Sequence, residues 1–199
     1  MEKEFEMIDL GMLSYFLGNE FVIKENGTFM HQKKYANDVL RRFKMQDCNS
    51  ADTPSEADMV LSKEGSDELV DTTTFKQLVG SLRYLCNTQP YIAHSVRLVS
   101  RYMEKPRTSH YLAAKRILRY IKETSELGLH YAKKQVGIED DLIGFTDADW
   151  CGDKDDRKST SGYVFMINES SILWCSKKQN IVALSTCEAE YVVASMGAC

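Results

Sequence analysis

The chain has 199 residues, 43% hydrophobic content, 27% charged content and a formal net charge of -4, which allows one or two domains with a real core. The acidic balance confines any nucleic-acid role to a local basic face. No apolar run is long enough to cross a membrane, and the charged start Met1-Glu2-Lys3-Glu4-Phe5-Glu6 has no apolar region of the kind a secretory signal carries.

Residues 14 to 31 read as a hairpin, with Asn26-Gly27 as a tight-turn signal. From 32 to 43, Tyr35, Ala36, Val39, Leu40 and Phe43 recur at helical spacing. Residues 47 to 72 are rich in acids and Ser and hold the turn formers Asn49, Pro54 and Gly65, which predicts a mobile linker with a short strand near Val60-Leu61. Three helical stretches follow: 75 to 86, closed off before Pro90; 92 to 103, closed by Pro106; and 110 to 122, capped by Thr108-Ser109. Residues 127 to 131 read as a strand, and 132 to 141 as a second polar linker.

The pattern then changes. Leu142-Ile143-Gly144-Phe145-Thr146-Asp147 is a nearly unbroken run ending in an acid, which predicts a central strand covered on both faces. Residues 163 to 167 and 172 to 175 form a predicted hairpin across Asn168-Glu169-Ser170-Ser171. A helix opens near Ser185, where Ser185-x-x-Glu188 is a capping box. Glu190 then lies on the sheet-facing side and Glu188 does not. Asp153, Asp155 and Asp156 read as a solvated loop. Six cysteines without a C-x-x-C pair point to free thiols in a reducing compartment.

Several motifs together carry a family resemblance. They are Phe145-Thr146-Asp147-Ala148-Asp149-Trp150, Arg157-Lys158-Ser159-Thr160-Ser161-Gly162-Tyr163, Trp174-Cys175-Ser176-Lys177-Lys178-Gln179 and Leu184-Ser185-Thr186-Cys187-Glu188-Ala189-Glu190-Tyr191. This stretch resembles the ribonuclease H region of copia-type retrotransposon Pol polyproteins. Upstream, Asp9-Leu10-Gly11, Tyr15-Phe16-Leu17-Gly18, Gln32-Lys33-Lys34-Tyr35-Ala36, Gly80-Ser81-Leu82-Arg83-Tyr84-Leu85 and Ala113-Ala114-Lys115-Arg116 resemble the C-terminal part of the same family's reverse transcriptase.

The resemblance implies an α+β chain: a helical reverse-transcriptase C-terminal remnant, then a truncated ribonuclease H-like mixed sheet with one helix. The expected segments are 1–46 (hairpin and helix), 47–72 (acidic linker), 73–131 (helical connection), 132–141 (linker) and 142–199 (ribonuclease H-like). The family's polymerase Tyr-x-Asp-Asp turn does not occur in the chain. The resemblance puts the first two ribonuclease H acids, as Mg²⁺ ligands, at Asp147 and Glu190, with Asp149 as the alternative to Asp147, and the remaining two beyond Cys199. Two carboxylates hold Mg²⁺ weakly at best, so RNA cleavage by this chain alone is expected to be negligible. Gln89-Pro90-Tyr91-Ile92, Glu123 and the turn at 168 to 171 depart from the family's usual residues.

Residues 97 to 122 carry eight cations and one acid. Arg97, Arg101, Lys115, Arg116, Arg119 and Lys122 are the expected contacts to an RNA–DNA hybrid, made to phosphates without regard to sequence. A second expectation comes from Arg116-Ile117-Leu118-Arg119, which resembles the R-x-L-R translocation motif of secreted oomycete effectors. That reading implies host-cell entry, host protein partners and suppression of host defence. The first implies an intracellular chain, in cytoplasm or nucleus, with no membrane partner.

Overall fold

The computed structural model describes residues 11–56, 59, 61–133 and 141–199. Asp9-Leu10, Val60 and most of the second linker lie outside them. Among the described residues the chain is α+β: a helical unit edged by a four-stranded sheet, then a three-stranded sheet carrying one helix.

The first sheet holds β1 Tyr15–Phe16, β2 Asn19–Lys24, β3 Gly27–His31 and β4 Gly128–Ala132, all antiparallel and in that order. Its tight turn is Glu25-Asn26, one residue earlier than the sequence pattern suggests, and Gly27 already pairs with Lys24. Glycine is needed there for two reasons. Its φ is +152°, and a side chain would begin 2.2 Å from the Tyr131 carbonyl of β4.

The helices are α1 Lys33–Arg42, α2 Thr72–Leu85, α3 Ala93–Ser100 and α4 Thr108–Thr124. Their apolar faces, read at a 3.6-residue period, meet in one core that includes Val39, Leu78, Leu82, Val99, Ile117 and Leu118. Each large aliphatic side chain buried this way stabilises the fold by about 1.5–3 kcal/mol. Asp71 caps α2, its carboxylate accepting the Thr74 N–H at 2.7 Å. Pro90 opens a 3-10 turn, Pro90–Ile92, that feeds α3. The predicted cap of α4 is corrected: Thr108 and Ser109 are already helical and Arg107 is the N-cap, its N–H donating to His110 Nδ1 at 3.0 Å.

The acidic segment before α2 has no regular strand among its described residues, only an isolated bridge between Leu69 and Arg107. It is nevertheless laid against α4. Ala51 and Leu61 are buried, and α4 side chains clasp its backbone from Cys48 to Ser50. Composition predicts a loop here correctly, and gives no sign of the hydrogen bonds that hold it down.

The second sheet is β5 Leu142–Ala148, β6 Thr160–Ile167 and β7 Ser170–Lys178, antiparallel throughout its described strands rather than mixed. The turn between β6 and β7 is Asn168-Glu169, with both residues at positive φ. Helix α5, Thr186–Ala198, lies on one face. The expectation of a covered central strand at β5 is corrected. Among the described residues it pairs only with β6, and Leu142, Ile143 and Phe145 are at least half exposed.

Several joints among the described residues tie this sheet to the helical unit. Trp174 on β7 donates its indole N–H to the Cys86 carbonyl at 3.0 Å, and the Ala132 N–H of β4 donates to Ser170 Oγ at 3.2 Å. All six cysteines are free, and burial pushes the Cys86 thiol up to about 12, which leaves it unreactive. No helix among the described residues is long and apolar enough to cross a membrane.

Candidate functional site

The site is built on the end of β5. Thr146 faces α5, its methyl lying 3.4 Å from where a side chain on Gly197 would begin. Strand alternation then turns Asp147 to the other face, in register with Gly162 of β6. That face looks onto a groove of about 490 Å³ between the sheet and the turn preceding α3, walled by Tyr91, His94, Phe145 and Trp174.

Helix α5 is set by a cap and a strut. Ser185 Oγ accepts the Glu188 N–H at 3.1 Å, and the Glu188 carboxylate reaches back to the Leu184 N–H at 2.6 Å. Glu188 therefore serves the helix start, one residue further back than a regular capping box would reach. The buried Gln179 amide donates to Ser161 Oγ and to the Ala189 carbonyl, each at 3.0 Å, and so fixes α5 against β6. The next residue, Glu190, is delivered to the strand end, where its Oε1 accepts the Ala148 N–H at 3.1 Å. Asp147 and Glu190 thus flank one end of β5, both exposed.

Those residues do not by themselves fit a magnesium ion. Mg²⁺ asks for near-octahedral oxygen coordination. Here two carboxylates are present, and one already has an oxygen bonded to an amide. Among the described residues no group of three or more His, Cys, Asp or Glu side chains is placed to hold a metal. Asp149, the alternative first acid, is engaged elsewhere: its carboxylate accepts the Thr160 N–H, and its own N–H donates to the Thr160 carbonyl at 3.1 Å. It closes the mouth of the β5–β6 pair.

In the acid loop after β5, Asp155 and Asp156 are exposed as the composition suggests, but Asp153 is buried. It accepts Arg101 Nη1 at 2.9 Å and Lys178 Nζ at 2.5 Å, with the Asp155 N–H at 2.9 Å. Burial alone would raise its pKa, but the Lys178 hydrogen bond and the loop amides outweigh that and hold the carboxyl below its ordinary value. Lys178 also meets Asp156 at 2.7 Å, and Asp155 accepts from Ser62 Oγ at 2.7 Å.

The six expected phosphate contacts separate into distinct roles. Arg101 lies in that buried pair and also donates to Thr160 Oγ1 at 2.9 Å. Arg116 pairs with Glu56 at 2.8 Å and donates to Thr53 Oγ1 at 3.1 Å. Arg119 donates to the Asn49 and Ser50 carbonyls, and Lys122 to the Cys48 carbonyl at 2.7 Å. Lys115 sits over the Tyr111 ring at 4.8 Å. Of the six, Arg97 and Lys115 have no hydrogen-bond or ion-pair partner among the described residues; Lys115 is half-buried against its ring, and Arg97 is exposed. A continuous basic face along α4 is therefore not what the fold presents. The same contacts account for the R-x-L-R stretch: Ile117 and Leu118 are core residues and both arginines brace the preceding segment.

Comparison with known proteins gives the family. A family model described as reverse transcriptase (RNA-dependent DNA polymerase) matches residues 1–57. The Pol polyprotein of transposon TNT 1-94 from Nicotiana tabacum is 39% identical over 204 residues, covering 98% of this chain. The chain belongs to the Pol polyprotein family of copia-type retrotransposons. It spans 15% of the length of that polyprotein. Within the family's reach is also an uncharacterized mitochondrial protein of Arabidopsis thaliana, 33% identical over 96% of this chain and 78% of its own length. A secreted RxLR effector protein of Plasmopara viticola is 42% identical over 118 residues, which is 59% of this chain and 81% of that protein. No solved structure matches the chain.

Two site features of this Pol chain escape sequence reading. The burial of Asp153 depends on Arg101, 52 positions upstream, and no local pattern announces such a pair. Gln179 stands next to a recognised motif, yet its role as a strut follows only from the placement of α5.

Proposed function

We propose that this chain is the stretch of a copia-type Pol polyprotein in which the reverse transcriptase ends and a ribonuclease H region begins. The match to a Pol polyprotein across 98% of the chain carries this reading. The helical unit is then the reverse-transcriptase side, and β5 to α5 the ribonuclease H side. Its partner is an RNA–DNA hybrid, held through phosphates, in the cytoplasm or nucleus and away from membranes. Asp147 and Glu190 are the chain's own contribution to a Mg²⁺ site that needs further oxygen donors.

Hydrolysis by paired metal ions needs both attacking and leaving oxygens clamped, and two carboxylates do not supply that clamp. The purified 199-residue chain therefore binds hybrid without cutting it. Fluorescence anisotropy with a labelled hybrid, run beside a gel assay in Mg²⁺, tests both halves. Cleavage that disappears in Asp147→Asn would overturn the second, and salt-independent or absent binding the first.

A second reading, a secreted effector that enters host cells and acts on host proteins, is favoured by one observation: the match to the Plasmopara viticola protein. Against it, Leu118 is fully buried in α4, so the four motif residues are not a free linear signal. Uptake by host cells that is lost in Arg116→Ala/Arg119→Ala but kept in an equally destabilised variant with both arginines in place would establish it.

A further inference from the structure

We propose that the cleft between α2, α3 and β7 is a phosphate-binding site, in which Arg83 and Arg97 grip one phosphate group of a nucleic-acid backbone. The cleft holds about 260 Å³. Arg83 reaches it from the last turn of α2 and Arg97 from α3, and Trp174 and Ser176 of β7 form the opposite wall. No acidic residue lines it.

Three observations point to an anion. First, Arg83 and Arg97 are exposed and have no hydrogen-bond or ion-pair partner among the described residues. Arg101, Arg107, Arg116 and Arg119 by contrast all donate to protein oxygens. Two arginines without protein acceptors, both lining one small cleft, suit the tetrahedral oxygens of phosphate better than a single carboxylate. Second, Ser176 Oγ is shielded from solvent and has no hydrogen-bond partner. A buried hydroxyl without an acceptor is costly, and a phosphate oxygen would satisfy it. Third, the wall is rigid. The Trp174 indole is held by the Cys86 carbonyl at 3.0 Å, so the cleft is shaped before any ligand arrives.

The cleft also has a direction. Its wall at Ala93, Trp174 and Ser176 is shared with the groove that Asp147 borders. That groove is walled by Tyr91, Phe145 and Tyr163 and has no Lys or Arg in its lining. Only the identity of the polymer rests on the reading proposed above; the phosphate chemistry stands on the cleft itself.

The test uses the full chain and two probes. Inorganic phosphate is titrated while NMR follows the arginine side-chain N–H signals and the Trp174 indole. A short RNA–DNA hybrid is titrated by anisotropy across a range of salt. Phosphate should move the Arg83, Arg97 and Trp174 signals, and Arg83→Gln/Arg97→Gln should abolish the response with an unchanged circular dichroism spectrum. The same variant should bind hybrid about ten-fold or more weakly, with a salt slope smaller by about 2. Ser176→Ala, a milder change, should weaken phosphate without removing it. Phosphate that leaves those signals unmoved overturns the proposal. So does hybrid binding with the same affinity and slope in wild type and double variant, or an acidic peptide that competes better than phosphate. Phosphate binding at the cleft with no hybrid binding would sustain the site while removing the Pol-derived partner.

Discussion

His110 is fully buried, with each ring nitrogen committed. Nδ1 accepts the Arg107 N–H, so Nε2 carries the proton and donates to the Ser62 carbonyl at 2.9 Å, while the ring stacks on Tyr102 at 3.9 Å. Desolvation lowers its pKa, against the Ser62 contact and the acids Asp67 and Asp155, which raise it, with Arg107 lowering it further. The unfolded chain therefore takes up a proton at a higher pH than the folded one. The stability this neutral histidine confers is intact above the ordinary value of 6.5 and is lost as pH falls below it. Melting followed from pH 7.5 to 5 should show that loss. His110→Gln should lower stability by about 1–3 kcal/mol at neutral pH and flatten the slope. Asp153 works in the opposite range. Its depressed carboxyl contributes above the unfolded value of 3.8 and loses that contribution only as pH falls through its lower folded value. Asp153→Asn leaves Arg101 and Lys178 facing a neutral amide and should cost about 3–5 kcal/mol by urea unfolding. That Asp147 and Glu190 flank one end of β5 can be anticipated from the chain, because the strand run and the helix cap that place them are local. The settings of His110 and Asp153 are not, because their partners lie at Ser62 and Arg101, far away in sequence.

Helices are the elements that sequence reads best. Their apolar period matches the buried faces of α1 to α4 almost residue by residue, since one period has one geometric solution. Strand surroundings are harder. The run Leu142–Ala148 has the composition of a covered strand and is an edge among the described residues, because composition reports the tolerance for burial and not the presence of neighbours. Turns fall in between. Asn168-Glu169 adopts the left-handed pair of a two-residue hairpin, with φ of 48° and 64°, and Glu169 carries a side chain where glycine is preferred. Glu169→Gly should therefore stabilise the β6–β7 hairpin by about 0.5–1 kcal/mol in thermal melts. Gly27→Ala should do the reverse. Its new carbon would strike the Tyr131 carbonyl, and a loss of about 3 kcal/mol with disturbed β3–β4 amide exchange is the expected result.

At the scale of the molecule, charge does structural work that net charge conceals. Arg116, Arg119 and Lys122 look like a nucleic-acid face on a helical wheel, yet they hold the segment from Cys48 to Glu56 against α4. Arg116→Ala/Arg119→Ala should release that segment, seen as new protease cuts between residues 48 and 56 at a global cost of about 1–3 kcal/mol. The Asp153 cluster likewise joins helical unit to sheet, so high salt should loosen the joint less than it loosens the exposed pair of Lys33 with Glu126. One feature sets how the isolated polypeptide behaves at working concentration. The Ala148 N–H turns away from β6 to meet Glu190, and by alternation Leu142, Gly144 and Thr146 aim their main-chain groups the same way. An unpaired margin of that kind, beside side chains as greasy as Ile143 and Phe145, is a template for stacking molecule on molecule. Light scattering should rise steeply as the protein is concentrated, and a single gatekeeping Ile143→Lys should lift the solubility ceiling without altering the melting point of the helical half.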